Sequence, residues 1–189
     1  MISKIEYWWR YEARPVFLNI RQGLKNLTYW LPVVWKDRPY DHSFIYEILK
    51  HKLKQQAEYI GKRNRHTTAL RDARRMILCT KLIQICQDDF YVMEYMDYSE
   101  DRHWFEKIID DSDSEWKGNS LYQSECIWEK YDDYFKKYPL IYKRVLNGEG
   151  SISGKDKKAI AMNIAYINQE RAHKLLFKIM EENIQTWWD

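Results

Sequence analysis

At 189 residues, with 45% hydrophobic and 16% aromatic side chains, the chain carries enough apolar material for one packed domain with at most an appendage. Six glycines and four prolines against 31% charged residues describe long helices joined by short loops, and a net charge of +3 is too small for general nucleic-acid binding. No apolar run reaches the ~18 residues of a membrane span, the first twelve residues lack the apolar core of a leader peptide, and three cysteines without a CxxC spacing point to a reducing compartment.

Residues 1–14 read as an aromatic docking arm carrying Tyr7, Trp8, Trp9 and Tyr11. Pro15, a favoured first-turn residue, opens a helix over 15–31. Its apolar positions Phe17, Ile20, Leu24, Leu27 and Leu31 recur at spacings of three and four, which predicts one buried face. Pro32 and Pro39 then break the chain around Trp35. A second helix over 42–60, capped by Asp41 or Ser43 and ended by Gly61, is striped by Ile45, Ile48, Leu49, Leu53 and Ile60.

After a basic loop at 62–66, a third helix over 68–91 starts from Thr67 or Thr68. Its apolar residues cover two faces, Met76, Cys79, Ile83, Cys86 and Phe90 on one and Leu78, Leu82 and Ile85 on the next, so it should lie at the centre. Helices two and three form the central antiparallel hairpin. Residues 92–118, rich in acids, read as an irregular excursion. A fourth helix over 120–146 turns Leu121, Ile127, Trp128, Tyr131 and Phe135 inward and is interrupted at Pro139. The last helix, 156–187, is about 45 Å long at 1.5 Å per residue, and the terminal Trp187-Trp188 pair should dock on this or another subunit. The fold class is therefore all-α: a single helical domain over 1–189, a bundle built on a central hairpin with a long C-terminal helix.

Two clusters suit an anionic ligand. The run 35–42 holds two rings and two cations with no aliphatic residue: Trp35 and Tyr40 offer stacking faces, Lys36, Arg38 and His42 offer donors. The bland alternative is a rigid linker in which Asp37 and Arg38 pair locally and Asp41 caps a helix. The hinge of the hairpin holds Arg63, Arg65, His66, Arg71 and Arg75 against the single acid Asp72. Arg71 and Arg75 share a helix face, and a helix N-terminus adds its own positive field. The alternative there is a solvated basic turn. Helix two keeps the clusters about 27 Å apart, so a composite site requires a homodimer with antiparallel hairpins.

Catalytic and metal signatures are missing from the sequence. The five histidines have no ligand spacing, and residues 111–115 only faintly resemble a calcium loop, with Trp116 and Tyr122 where glycine and glutamate belong. Cys79 and Cys86, two turns apart, read as small core residues. No catalytic residue, metal or cofactor is expected.

The block Trp35-Lys36-Asp37-Arg38, the aspartate Asp41, the helix from Phe44 to Lys50, the stretch from His66 to Asp72, the segment from Glu94 to Tyr98, the run from Ile160 to Asn163 and the ending Trp187-Trp188-Asp189 together resemble an uncharacterised family of tailed-bacteriophage proteins. The resemblance covers nearly the whole chain. It implies a phage origin and a host-cytoplasm setting, and supplies no catalytic residue. The expectation is a non-enzymatic protein that captures a small anionic ligand, such as a nucleotide immune signal, without membrane or general nucleic-acid binding. Two alternatives are an interaction protein that docks on a host or phage protein, and an enzyme acting on nucleotides.

Overall fold

Apolar residues on two faces of one helix demand neighbours on both sides, and α4 (Ala69–Gln87) has them. It is the middle element of a computed structural model that describes residues 4–38, 40, 43–63, 67–107, 120–154 and 156–187. On one side lies α3 (Ser43–Arg63). The pairing is antiparallel, because Lys50 early in α3 donates to Gln84 and Gln87 late in α4, at 2.7 and 3.1 Å. On the other side runs the long α8 (Lys157–Asn183). Leu53, Ala57 and Ile60, Met76, Cys79 and Ile83, and Leu176 and Trp187 close this first core. Burial pushes the Cys79 thiol up to about 11, so it packs as a small hydrophobe. Trp187 docks here as expected, and Trp188 lies outside the described residues.

A second core sits at the other end of α8. Phe90–Glu94 (α5) leads through a 3₁₀ turn, Tyr95–Tyr98, towards it. Tyr95, Tyr131, Tyr134, Phe135, Ile141 and Val145 pack there against Ala161, Ile164, Ala165 and Ile167. One helix therefore serves as a spine for both cores. Gln169 fixes the junction above it: its amide donates to the carbonyls of Ile85 and Cys86 at 3.3 and 3.4 Å. Those carbonyls belong to the last turn of α4, where intrahelical partners run out.

Three expectations need correction. The helix expected over 120–146 is a strand followed by two helices: β2 (Ser120–Glu129), α6 (Tyr131–Lys137) and α7 (Pro139–Leu146). Its antiparallel partner is β1 (Ser99–Lys107), in the stretch read as an irregular excursion. Residues 108–119 of that excursion lie outside the described residues. The fold is thus mostly helical with a two-stranded sheet, not all-α. Alternation decided it: Tyr122, Ser124 and Cys126 fall on one face, before a register shift that pairs Trp128 with Glu100, and Tyr122 meets both His103 and Phe105 across the pair, with ring centroids 5.5 and 5.6 Å apart. Gly61 lies inside α3, where an added Cβ would come 3.5 Å from that of Ala73. It marks close helix contact rather than a helix end.

The third correction concerns the N-terminus. Residues 4–34 are helical throughout: α1 (Lys4–Trp8), one π-helical turn (Trp9–Ala13) and α2 (Arg14–Val34). The stripe expected to be buried is in solvent. Phe17, Ile20, Leu24, Leu27 and Leu31 are all more than half exposed, and α2 has no buried residue.

In the loop before α8, Gly150 has no room for a side chain. Asn163 exchanges hydrogen bonds with the backbone N–H and C=O of Ile152, both at 3.0 Å. Gly150, at φ +138, passes so close that an added Cβ would lie 2.3 Å from the Asn163 Oδ1. Gly150→Ala should therefore cost on the order of 2–3 kcal/mol, a fall of about 5–10 °C in Tm. Calorimetric melting of the variant checks this.

A ring-and-cation cleft between α2 and α3

α2 meets the body at one place. Tyr29 donates its hydroxyl to the His51 carbonyl at 3.1 Å, and the His51 Nε2 lies 3.2 Å from the Tyr29 carbonyl. The Tyr29 ring lies 4.2 Å from the His51 imidazole and the Trp30 ring 5.2 Å from it, with the two rings edge to face 5.8 Å apart. One imidazole thus packs in a three-ring cluster with successive residues of α2.

Beside this cluster the two helices enclose a cleft of about 590 Å³, within the roughly 300–1,000 Å³ range of small-molecule sites. α2 contributes Gln22, Lys25, Asn26, Tyr29 and Trp30, and α3 contributes Lys52, Gln55, Gln56, Tyr59 and Arg63. The walls hold three cations, three rings and four amides, with no carboxylate, imidazole or thiol. Lys25 and Lys52 form no ion pair among the described residues. The Arg63 guanidinium lies 4.2 Å over the Tyr59 ring and donates to its hydroxyl at 2.8 Å. Burial, with Glu58 nearby, pushes the Tyr29 phenol upward, so it stays a protonated donor at neutral pH. Three cations on the walls suit an anion, and ring faces and amides can grip and orient a planar group.

The site residues expected from the sequence scatter. Trp35 and Tyr40 are 78% and 86% exposed, and Arg38 donates to the neighbouring Asp37 carbonyl at 3.0 Å. Lys36 is also exposed, whereas His42, Arg65 and His66 lie outside the described residues. Trp35 and the hinge sit at opposite ends of α3, whose 21 residues span about 31 Å, so one protomer does not bring them together.

Of the described hinge residues, only Arg63 lines the cleft. Arg71 and Arg75 serve the interior instead. The side chain of Asp72 is fully buried; it accepts from the Thr68 hydroxyl at 2.6 Å and the Arg71 Nε at 3.2 Å, with Arg75 at 3.9 Å. Arg75 also donates to Asn183 at the end of α8. The basic hinge is thus a clamp joining the start of α4 to the end of α8.

A second groove of about 600 Å³ runs beside α7 and α8, lined by Tyr91, Lys137, Tyr138, Arg171 and Lys174 among others. Two of its cations are already engaged, Lys137 by the buried Glu94 and Lys174 by Glu170 at 2.6 Å. The α2–α3 cleft keeps its charge free and fits an anion better. The sequence did carry a signal for it: Gln22, Asn26 and Tyr29 on α2, and Lys52, Gln55, Tyr59 and Arg63 on α3, each follow helical spacing along one face.

Among the described residues no cluster of three His, Cys, Asp or Glu could hold a metal, and no helix is long and apolar enough to cross a membrane. No protein-family model, curated protein or solved structure matches the chain.

Burial alone would push the Asp72 carboxyl up, but the Thr68 hydroxyl and the Arg71 and Arg75 guanidiniums outweigh it and hold it below the usual range. A depressed folded-state value gives stability that is present above the unfolded value of about 3.9 and lost as pH falls through the folded value. Asp72→Asn should cost about 1–3 kcal/mol at pH 7. In urea titrations the gap between wild type and variant should narrow once the pH drops below about 4.

Proposed function

We propose that the protein is a non-enzymatic binder that captures a small, planar, anionic ligand of the nucleotide class between α2 and α3. The observation that carries this reading is the cleft wall itself: Lys25, Lys52 and Arg63 beside Tyr29, Trp30 and Tyr59, with no carboxylate. Phosphates are held by unpaired cations, bases by ring faces, and base edges by amides such as Gln55 and Asn26. The walls offer charge and stacking surface rather than a proton-transfer couple, which favours capture over turnover. The resemblance to tailed-phage proteins suggests the setting, the host cytoplasm, where sequestering a nucleotide signal would blunt a host defence. Of the cations expected at the hinge, Arg63 belongs to this cleft.

Calorimetry with a panel of linear and cyclic nucleotides tests it. At least one should bind, and Arg63→Ala and Trp30→Ala should each weaken it about tenfold or more, the loss of one charge-assisted bond or one stacking face. Arg71→Ala should leave the affinity unchanged. No binding across the panel, or binding that depends on Arg71 and not on Arg63, overturns the proposal.

A further inference from the structure

The apolar stripe of α2 points away from the body. At about 100° per residue, Val16, Phe17, Ile20, Leu24, Leu27, Leu31 and Val34 fall within an arc about 100° wide. The row that meets α3 lies about 145° away, and the cations Arg14, Arg21 and Lys25 about 110° away. All seven apolar residues are exposed, Leu27 to 68%. Their contiguous surface is on the order of the ~800 Å² per partner that a stable interface needs, and it is more than a lone protomer leaves in water.

We infer that a second copy of this chain covers the stripe, its α2 packed antiparallel against the first. The spacing identifies the occupant. Phe17, Leu24 and Leu31, alternating with Ala13, Ile20, Leu27 and Val34, follow the seven-residue repeat of a helix that packs on another helix. Only one antiparallel register matches every layer from 17 to 34: Phe17 against the partner's Val34, Ile20 against the partner's Leu31, Leu24 against the partner's Leu27, and the three symmetric layers. The flanks then complement each other. Arg21 faces the partner's Thr28 and Arg14 the partner's Trp35, so no like charges meet. Gly23 faces the partner's Trp30.

That last pairing accounts for a glycine that the protomer does not need. Gly23 sits in mid-helix, at a cost of about 1 kcal/mol relative to alanine, and a Cβ there would touch nothing within 4 Å. A lipid surface would gain nothing from a glycine at that position. A helix carrying a tryptophan opposite it would. Apart from Trp30, which borders both, the pairing uses a different face of the helix from the α2–α3 cleft.

Light scattering on the purified full chain should give twice the 23.3 kDa of one chain. The double variant Leu24→Asp, Leu27→Asp should be a monomer that melts cooperatively, because both side chains are already exposed in the protomer. Gly23→Leu should weaken the dimer at least tenfold without altering the protomer. In a Cys126→Ser background, Phe17→Cys and Val34→Cys proteins mixed together should form a mixed disulfide faster than either forms one alone. Four outcomes would overturn the inference. These are a monomeric wild type, a dimer indifferent to the aspartates, a Phe17→Cys protein that links chiefly to itself, or a monomer that instead sediments with phosphatidylglycerol vesicles through these same residues.

Discussion

The contact of His51 with Tyr29 and Trp30 is the one on which the rest of the N-terminal half depends. It is the hydrogen-bonded and stacked junction between α2 and α3, and it uses the polar edge of α2. Joining a helix by its polar edge has two consequences. The cations and amides of that edge are held opposite those of α3, which creates the cleft. The apolar face, by geometry, is turned out. In an ordinary globular helix the apolar stripe goes in and the charges out. Here the two are exchanged, and both proposed surfaces follow from that exchange.

The body that carries this arm is held differently. Two separate cores share α8, and polar groups at helix ends tie them together. Asp72 with its arginines binds the start of α4 to the end of α8, and Gln169 caps the end of α4 from the middle of α8. Glu94, buried between Lys137 and Tyr138, does the same for α5 and α6. Asp72 and Glu94 are buried carboxylates satisfied by several partners, the condition under which a buried polar group supports a fold rather than weakening it. The basic hinge therefore reads as structure. Arg71 and Arg75 neutralise the buried charge of Asp72, and Arg63 turns to the cleft instead.

The central hairpin and the spine were legible because their signals are local and long: apolar residues on two faces of α4 and a sustained stripe on α8. The strand at 120–129 was not. Ile127, Trp128, Tyr131 and Phe135 keep helical spacing across a junction at Lys130 where the backbone changes from strand to helix, so the period ran straight over the boundary. The α2 stripe was legible as a face that needs cover, but a hydrophobic pattern does not say whether the cover comes from the same chain. The cleft was legible only in part. Its two polar rows are visible in the sequence, yet nothing local says they face one another, because His51, the residue that brings them together, is a lone histidine on a helix. The Trp35 run drew attention by its composition, and composition alone does not place a side chain beside a second cluster.

This contact can be observed directly. In a nuclear Overhauser spectrum of isotope-labelled protein, the Tyr29 and His51 ring protons should show strong contacts, as should Trp30 and His51, whereas the methyls of Leu24 and Leu27 should show none to α3. Contacts from Leu24 and Leu27 to the side chains of α3, with the Tyr29–His51 contact missing, would mean that α2 buries its stripe in the ordinary way, and would contradict both the cleft and the outward face.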